Sequence, residues 1–179
     1  LQEYILGRDA IAGTAQRAGT EGENGSDPIT AGKIIGDLNS KRGIYALEDV
    51  PLFNILCIPR AALLVAEQAN AVITVSENYC ETRRAFFIMD TPPGIIDIQG
   101  IKNWLDANNN LRNKNAALYY PRVMIPDPLN DFRLRSVGAS GTIAGLFART
   151  DSSRGVWKAP AGTDATLTNV PALQDILTD

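Results

Sequence analysis

Ala85-Phe86-Phe87-Ile88-Met89-Asp90, followed at once by Thr91-Pro92-Pro93-Gly94, is the stretch on which the fold turns. Its apolar residues follow one another without a polar alternate, and the two prolines and the glycine stop the run. A strand buried on both faces reads this way, and such strands belong to parallel sheets covered on both sides. Upstream, Phe53-Asn54-Ile55-Leu56-Cys57-Ile58 is a similar run, closed by Pro59. Downstream, Ala116-Ala117-Leu118-Tyr119-Tyr120 is a third, continued past Pro121 by Val123-Met124-Ile125 and closed by Pro126-Asp127-Pro128.

Helical spacing fills the intervals. Ala69, Val72, Ser76, Tyr79 and Cys80 fall near one face, with Glu67, Asn70, Glu77 and Asn78 available for the other. Arg83-Arg84 ends that helix with the charges its C-terminus favours. Ile98, Ile101 and Leu105 share a face of a second helix over 98–109, flanked by Trp104. Strand, helix, strand, helix, strand predicts an α/β fold: a mainly parallel sheet flanked by helices on both faces, with right-handed crossovers. The strand ends at Pro59, Asp90 and Asp127 then share the edge at which open α/β sheets bind ligands. Asp90 and Asp127 are therefore candidates for a carboxylate pair doing metal or acid–base work. The alternative is that an aspartate after a buried strand caps the next turn. The lack of a third ligand or a base at recognisable spacing favours the cap.

The flanks are less regular. Residues 1–30 carry loop composition, with Gly19, Gly22, Gly25 and Pro28 among polar residues. A phosphate-cradling loop fails there, because no Lys-Ser/Thr follows Gly25. Asn24-Gly25-Ser26 matches a glycosylation sequon with no secretory signal to support it. A short helix is expected over 31–39, stopped by Gly43.

Composition narrows the function. The 179 residues are 45% hydrophobic and 21% charged, ordinary for a globular domain with a real core. A net charge of -3 argues against nucleic acid as a partner, and no apolar run reaches the length of a membrane span. There is no histidine, which removes Ser-His-Asp and Cys-His catalysis and the commonest metal ligand. No metal or other cofactor is expected. Cys57 and Cys80 read as buried free thiols, a disulfide needing Cα atoms within about 7 Å.

The densest run of unusual residues is Gly138 to Gly162, GASGTIAGLFARTDSSRGVWKAPAG. Leu134 to Val137 reads as a short strand, Gly138 to Gly141 as a tight turn, and Ser140 as the N-cap of a helix with Ile143, Leu146 and Phe147 on its apolar face. Gly145 within that helix costs about 1 kcal/mol against alanine, so close packing against another backbone is expected there. Ser140 lies where a nucleophile elbow would place its serine, but position 142 is Thr142 where the elbow needs glycine. Lys158 is a candidate base for a Ser-Lys pair, but nothing in the sequence fixes its distance from Ser140. Arg149, Asp151 and Arg154 straddle the helix end, where Arg–Asp forks order a loop, and Gly155, Trp157, Lys158 and Pro160 complete a stiff exit. Such a loop suits a junction between domains or subunits.

These residues also carry a resemblance. SGTIAGLFARTDSSRGVWKAPAG resembles the signature of contractile tail sheath proteins of bacteriophages and prophages. That family has a Ser-Gly start, an Ala-Gly turn, Ala-Arg-x-Asp, and Arg-Gly-Val-x-Lys-Ala-Pro-Ala. LEDVPLFNILCIP, the Tyr79-Cys80 helix end followed by FFIMDTPPG, and AALYYPRVMIPDP resemble it too, so the likeness covers residues 43 to 162 in the family's order. Ser136-Val137-Gly138-Ala139 departs from it, standing where the family commonly has prolines.

The resemblance implies a subtilisin-like sheath domain without protease residues, and no enzyme activity. The motif residues Ser140, Gly141, Gly145, Arg149, Asp151, Arg154, Gly155, Trp157, Lys158 and Pro160 would then serve structure and assembly. It implies hexameric rings of the protein stacked around a tail tube protein, between baseplate and tail terminator proteins, contracting to drive injection. The setting would be the virion tail, and the bacterial host cytoplasm during assembly. On this reading residues 1–42 are an N-terminal segment, a candidate part of another sheath domain. Residues 43–179 are the α/β core of a fragment whose C-terminal domain is missing.

Overall fold

The computed structural model describes residues 28–176. The Gly19–Gly25 loop and the Asn24 sequon lie outside the described residues. The first helix, α1 (Ala31–Ile35), is shorter than its sequence suggests. Thr30 caps it by accepting the Lys33 N–H, and Gly36 ends it at φ 73°, well before the expected stop at Gly43. A Cβ on Gly36 would lie 1.9 Å from the Arg42 carbonyl oxygen, so only glycine lets the chain fold back here.

Three strands form a parallel sheet in the order β1-β2-β3: β1 (Ile55–Cys57), β2 (Phe86–Asp90) and β3 (Ala116–Tyr119). Ile55 pairs with Phe86, and Phe87 with Ala116. Both crossovers advance the same way across the sheet. With one handedness, that puts their helices on one face. These are α2 (Ala66–Arg83) and α3 (Ile98–Ala107), the latter continued by a 3-10 turn over Asn109–Leu111. The core between them and the sheet is Leu56, Ile73, Cys80, Phe87, Met89 and Leu111, with Trp104 and Leu118 packed against it.

Each helix has a local reason to start or stop where it does. Asp97 caps α3 by accepting the Gly100 N–H at 2.6 Å. Arg84 ends α2 in the left-handed region, and the Ala85 N–H closes the end onto Cys80 O at 2.8 Å. Arg83 does more than face the helix dipole. Its guanidinium lies over the rings of Phe53 and Tyr79, and it donates to Glu48, Leu47 O and Val50 O. This clamps the 3-10 segment Gly43–Asp49 onto α2.

The opposite face of the sheet is covered by α4 (Ser140–Arg154), whose Phe147 ring lies 6.4 Å from that of Phe86. Helices on both faces are thus present, but the sheet is less uniformly parallel than the sequence suggests. Val123-Met124-Ile125 does not prolong β3. It forms β4 (Val123–Asp127), which pairs antiparallel with β5 (Arg133–Val137) and with β6 (Ala172–Leu173) in a separate sheet. Pro121 has no N–H to give a ladder, so the parallel pairing stops at Tyr119 and the next apolar run finds other partners.

Candidate functional site

Pairing β4 with β5 moves Asp127 away from the edge expected of it. Asp127 opens the hairpin turn, where its carboxylate accepts the Leu129 N–H at 3.1 Å and pairs with Arg135 at 3.5 Å. The candidate Asp90–Asp127 pair on one sheet edge, the less favoured of the two readings, is not formed. The order β1-β2-β3 also has no reversal, and it is a reversal that opens a ligand crevice in such sheets. Among the described residues, no group of three or more His, Cys, Asp or Glu side chains could hold a metal ion.

Asp90 has a different partner. It is buried, and its two carboxylate oxygens accept the Ser140 N–H at 2.7 Å and the Ser140 hydroxyl at 2.5 Å. The aspartate caps a helix fifty positions away in sequence, rather than the turn that follows it. Ser140 is accordingly the first residue of α4 and not its N-cap. The backbone N-cap is Ala139, with no side-chain bond of its own. Gly138 makes the approach feasible, because a Cβ there would lie 2.3 Å from the Asp90 carboxyl. Ser140 is fully buried, and its carbonyl accepts a hydrogen bond from the Cys57 thiol at 3.5 Å.

Around this contact runs a connected polar knot. Arg122, 4% exposed, donates to Thr91 O at 2.7 Å and to the Ser136 hydroxyl at 3.0 Å. Burial pulls its guanidinium below its ordinary pKa, and nearby Asp90 opposes that. Ser136 donates in turn to Gln174 (2.6 Å), Gln174 N–H donates to Arg122 O (2.9 Å), and Tyr120 donates to Asp175 (2.5 Å). The C-terminal edge of the parallel sheet is thereby tied to α4, to the hairpin and to β6. Sequence reasoning missed Arg122, although a lone cation inside an apolar run was a usable signal. Cys57 and Cys80 are free; Cys57 faces α4 while Cys80 lies in the core under α2, across the sheet. Burial pushes the Cys57 thiol up, and Cys80 up to about 11.

The remaining motif residues spread along α4 and its exit. Gly141 and Gly145 are exposed, and a Cβ on either meets nothing within 4 Å. The expected close packing at Gly145 is therefore absent from the described residues, and with Ala148 and Ser152 the two glycines leave an open helix face. Gly145→Ala is expected to stabilise the chain by about 1 kcal/mol. The readout is a higher urea midpoint at unchanged slope; a lower midpoint would count against the open face.

Arg149 lies within the helix and donates to Thr166 O and the Thr168 hydroxyl, and Arg154 pairs with Asp164 at 3.6 Å. The pinning of the exit thus runs from α4 to residues 164–168, rather than through Asp151 as the sequence suggests. Among the described residues Asp151 has no ion pair; its carbonyl accepts the Gly155 N–H. Gly155 sits at φ 94° with the Trp157 ring where a Cβ would be, yet Trp157 is 85% exposed. The loop is therefore not built around a buried Trp. Lys158 folds over its own loop, donating to Ala159 O and Ala161 O, and with half-buried Pro160 it lines a small cavity against Arg154. A Ser140–Lys158 pair is excluded, since a fifteen-residue helix puts about 20 Å between its ends.

The arrangement is a closed strut: buried Asp90, Ser140 and Arg122 are bonded so as to hold two sheets and a helix together. No protein-family model matches the chain, and no curated protein matches it in sequence.

Proposed function

We propose that this chain is the subtilisin-like α/β part of a contractile tail sheath subunit, of a phage or a phage-derived particle. Such a subunit polymerises in hexameric rings around a tail tube, between baseplate and terminator proteins, and contracts to drive injection. The observation that carries the reading is the ordered set of sheath-like segments from residue 43 to 162. Their cohesion in space supports it. LEDVPLFNILCIP supplies β1, FFIMDTPPG supplies β2, AALYYPRVMIPDP supplies β3 and β4, and SGTIAGLFARTDSSRG supplies α4. The Asp90–Ser140 contact joins the second of these segments to the last. Ser140 is fully buried with its N–H and hydroxyl both held by buried Asp90, which supports a structural role for it.

No enzymatic step is part of this reading. The protein together with a tail tube protein is expected to form tubes or ring stacks in electron micrographs. Persistent monomers in the presence of the tube protein would sink the proposal.

A further inference from the structure

The two sheets guard their edges unequally. β5 is an outer strand of the antiparallel sheet and carries Arg133 and Arg135, and β6 at the other edge is only two residues long. Charges on an edge strand discourage pairing with another chain. β1 is only three residues long and ends near Pro59. β3 has neither protection. Its sequence is Ala116-Ala117-Leu118-Tyr119, with no charge and no proline, and among the described residues only β2 pairs with it.

The register fixes which backbone groups stand open. Phe87 is opposite Ala116, and the Phe87 N–H donates to Asn115 O. In a parallel ladder the odd-numbered residues of β3 then bond β2, and Leu118 turns its N–H and C=O outward, with the Ala116 C=O beside them. Beside this edge runs a groove formed with α3, whose walls include Ile101, Trp104, Leu105 and Leu118. Apolar walls next to an unpaired backbone row are what an added strand requires.

The charges at the two ends of β3 select the occupant. Exposed Arg112 and Lys114 precede the strand, and only Lys114 has a partner among the ion pairs of the described residues, Glu81 at 2.8 Å. Asp97 and Asp175 lie beside Tyr120 at the other end. One end is basic and the other acidic. A second copy laid antiparallel sets basic against acidic at both ends, whereas a copy laid parallel sets like against like. Self-complementarity of this kind is what a two-fold contact demands.

We infer that β3 is the contact by which two copies of this chain pair edge to edge, antiparallel, making one six-stranded sheet across a two-fold axis. This is a contact of the chain outside a ring, because a six-fold stack with distinct ends has no two-fold axis between its subunits; the inference does not depend on the sheath reading, and its test uses the chain alone. Sedimentation velocity over rising concentration should resolve a monomer–dimer equilibrium, with the Leu118 amide protected from hydrogen exchange in the dimer and open on dilution. Leu118→Pro, which removes the outward N–H, should abolish the dimer. Arg112→Glu should weaken it several-fold, and adding Asp175→Lys should restore it, independently of any folding defect caused by the proline. A chain that stays monomeric at high concentration overturns the inference and leaves the edge to an extended segment of another protein. A dimer indifferent to Leu118→Pro and to the charge exchange overturns it equally, by placing the contact elsewhere.

Discussion

Asp90→Ala is expected to destabilise the protein by about 3 kcal/mol, the largest loss foreseen for any single truncation in this fold. The substitution removes a buried carboxylate that accepts both the backbone N–H and the hydroxyl of Ser140. Both donors would stay buried without an acceptor, and α4 would lose its cap. Arg122 would also lose the nearby negative charge that offsets its burial. Asp90→Asn, which keeps the shape and one carbonyl oxygen, should lose clearly less. Equilibrium urea unfolding checks this: the midpoint should fall in the order native, Asn, Ala at constant slope. An alanine variant as stable as the native chain would mean that the strut carries no load.

Glu77→Gln is expected to act in the other direction, with an effect that grows between about pH 4.5 and about pH 7 and is full beyond. Glu77 lies on the buried face of α2, and its Oε1 has no hydrogen-bond partner. Burial pushes its carboxyl up from 4.5 to about 7. A carboxyl whose pKa is higher folded than unfolded makes its full contribution below the unfolded value. That contribution is lost as pH rises through the folded one. Stability contributed at this position is therefore complete below about pH 4.5, falls between there and about pH 7, and stays low beyond. Glutamine does not titrate. The variant should match the native chain below about pH 4.5 and exceed it by about 2 kcal/mol at mildly alkaline pH. Melting curves over that range decide it. Parallel pH profiles for the two chains would show that Glu77 is not buried uncharged.

The strands of the parallel sheet were legible because an apolar run without alternation has few other readings. Phe86–Asp90 begins and ends almost where its sequence suggests, and α2 stops at the cations that mark its end. The second sheet was not legible, because Val123-Met124-Ile125 looks the same whether it prolongs β3 or starts anew. What separates the cases is Pro121, whose missing N–H breaks the ladder. The strut was legible only in its parts. Asp90 was visible as an aspartate closing a strand, and Ser140 as a serine opening a helix. Nothing in a linear pattern pairs two residues fifty positions apart, and the glycine that admits the pair, Gly138, looks like any turn glycine until the carboxyl is seen beside it. The exit loop misled for a related reason. Arginines next to Asp151 suggest a local fork, but Arg154 found Asp164 and Arg149 found two threonine residues beyond it.

The placement of α4 also sets an order of events for the nascent chain. β1, α2, β2, α3 and β3 are neighbours in sequence as well as in space, so they close on one another through short loops. The far face of the same sheet waits for a helix that begins only at Ser140, after the hairpin has intervened. Its contacts reach back fifty residues to Asp90 and eighty-three to Cys57. Contacts of long sequence separation form slowly, because the chain must be ordered before they are made. The three-stranded layer is thus expected to close with one apolar side bare, and α4 to dock on it afterwards as its lid.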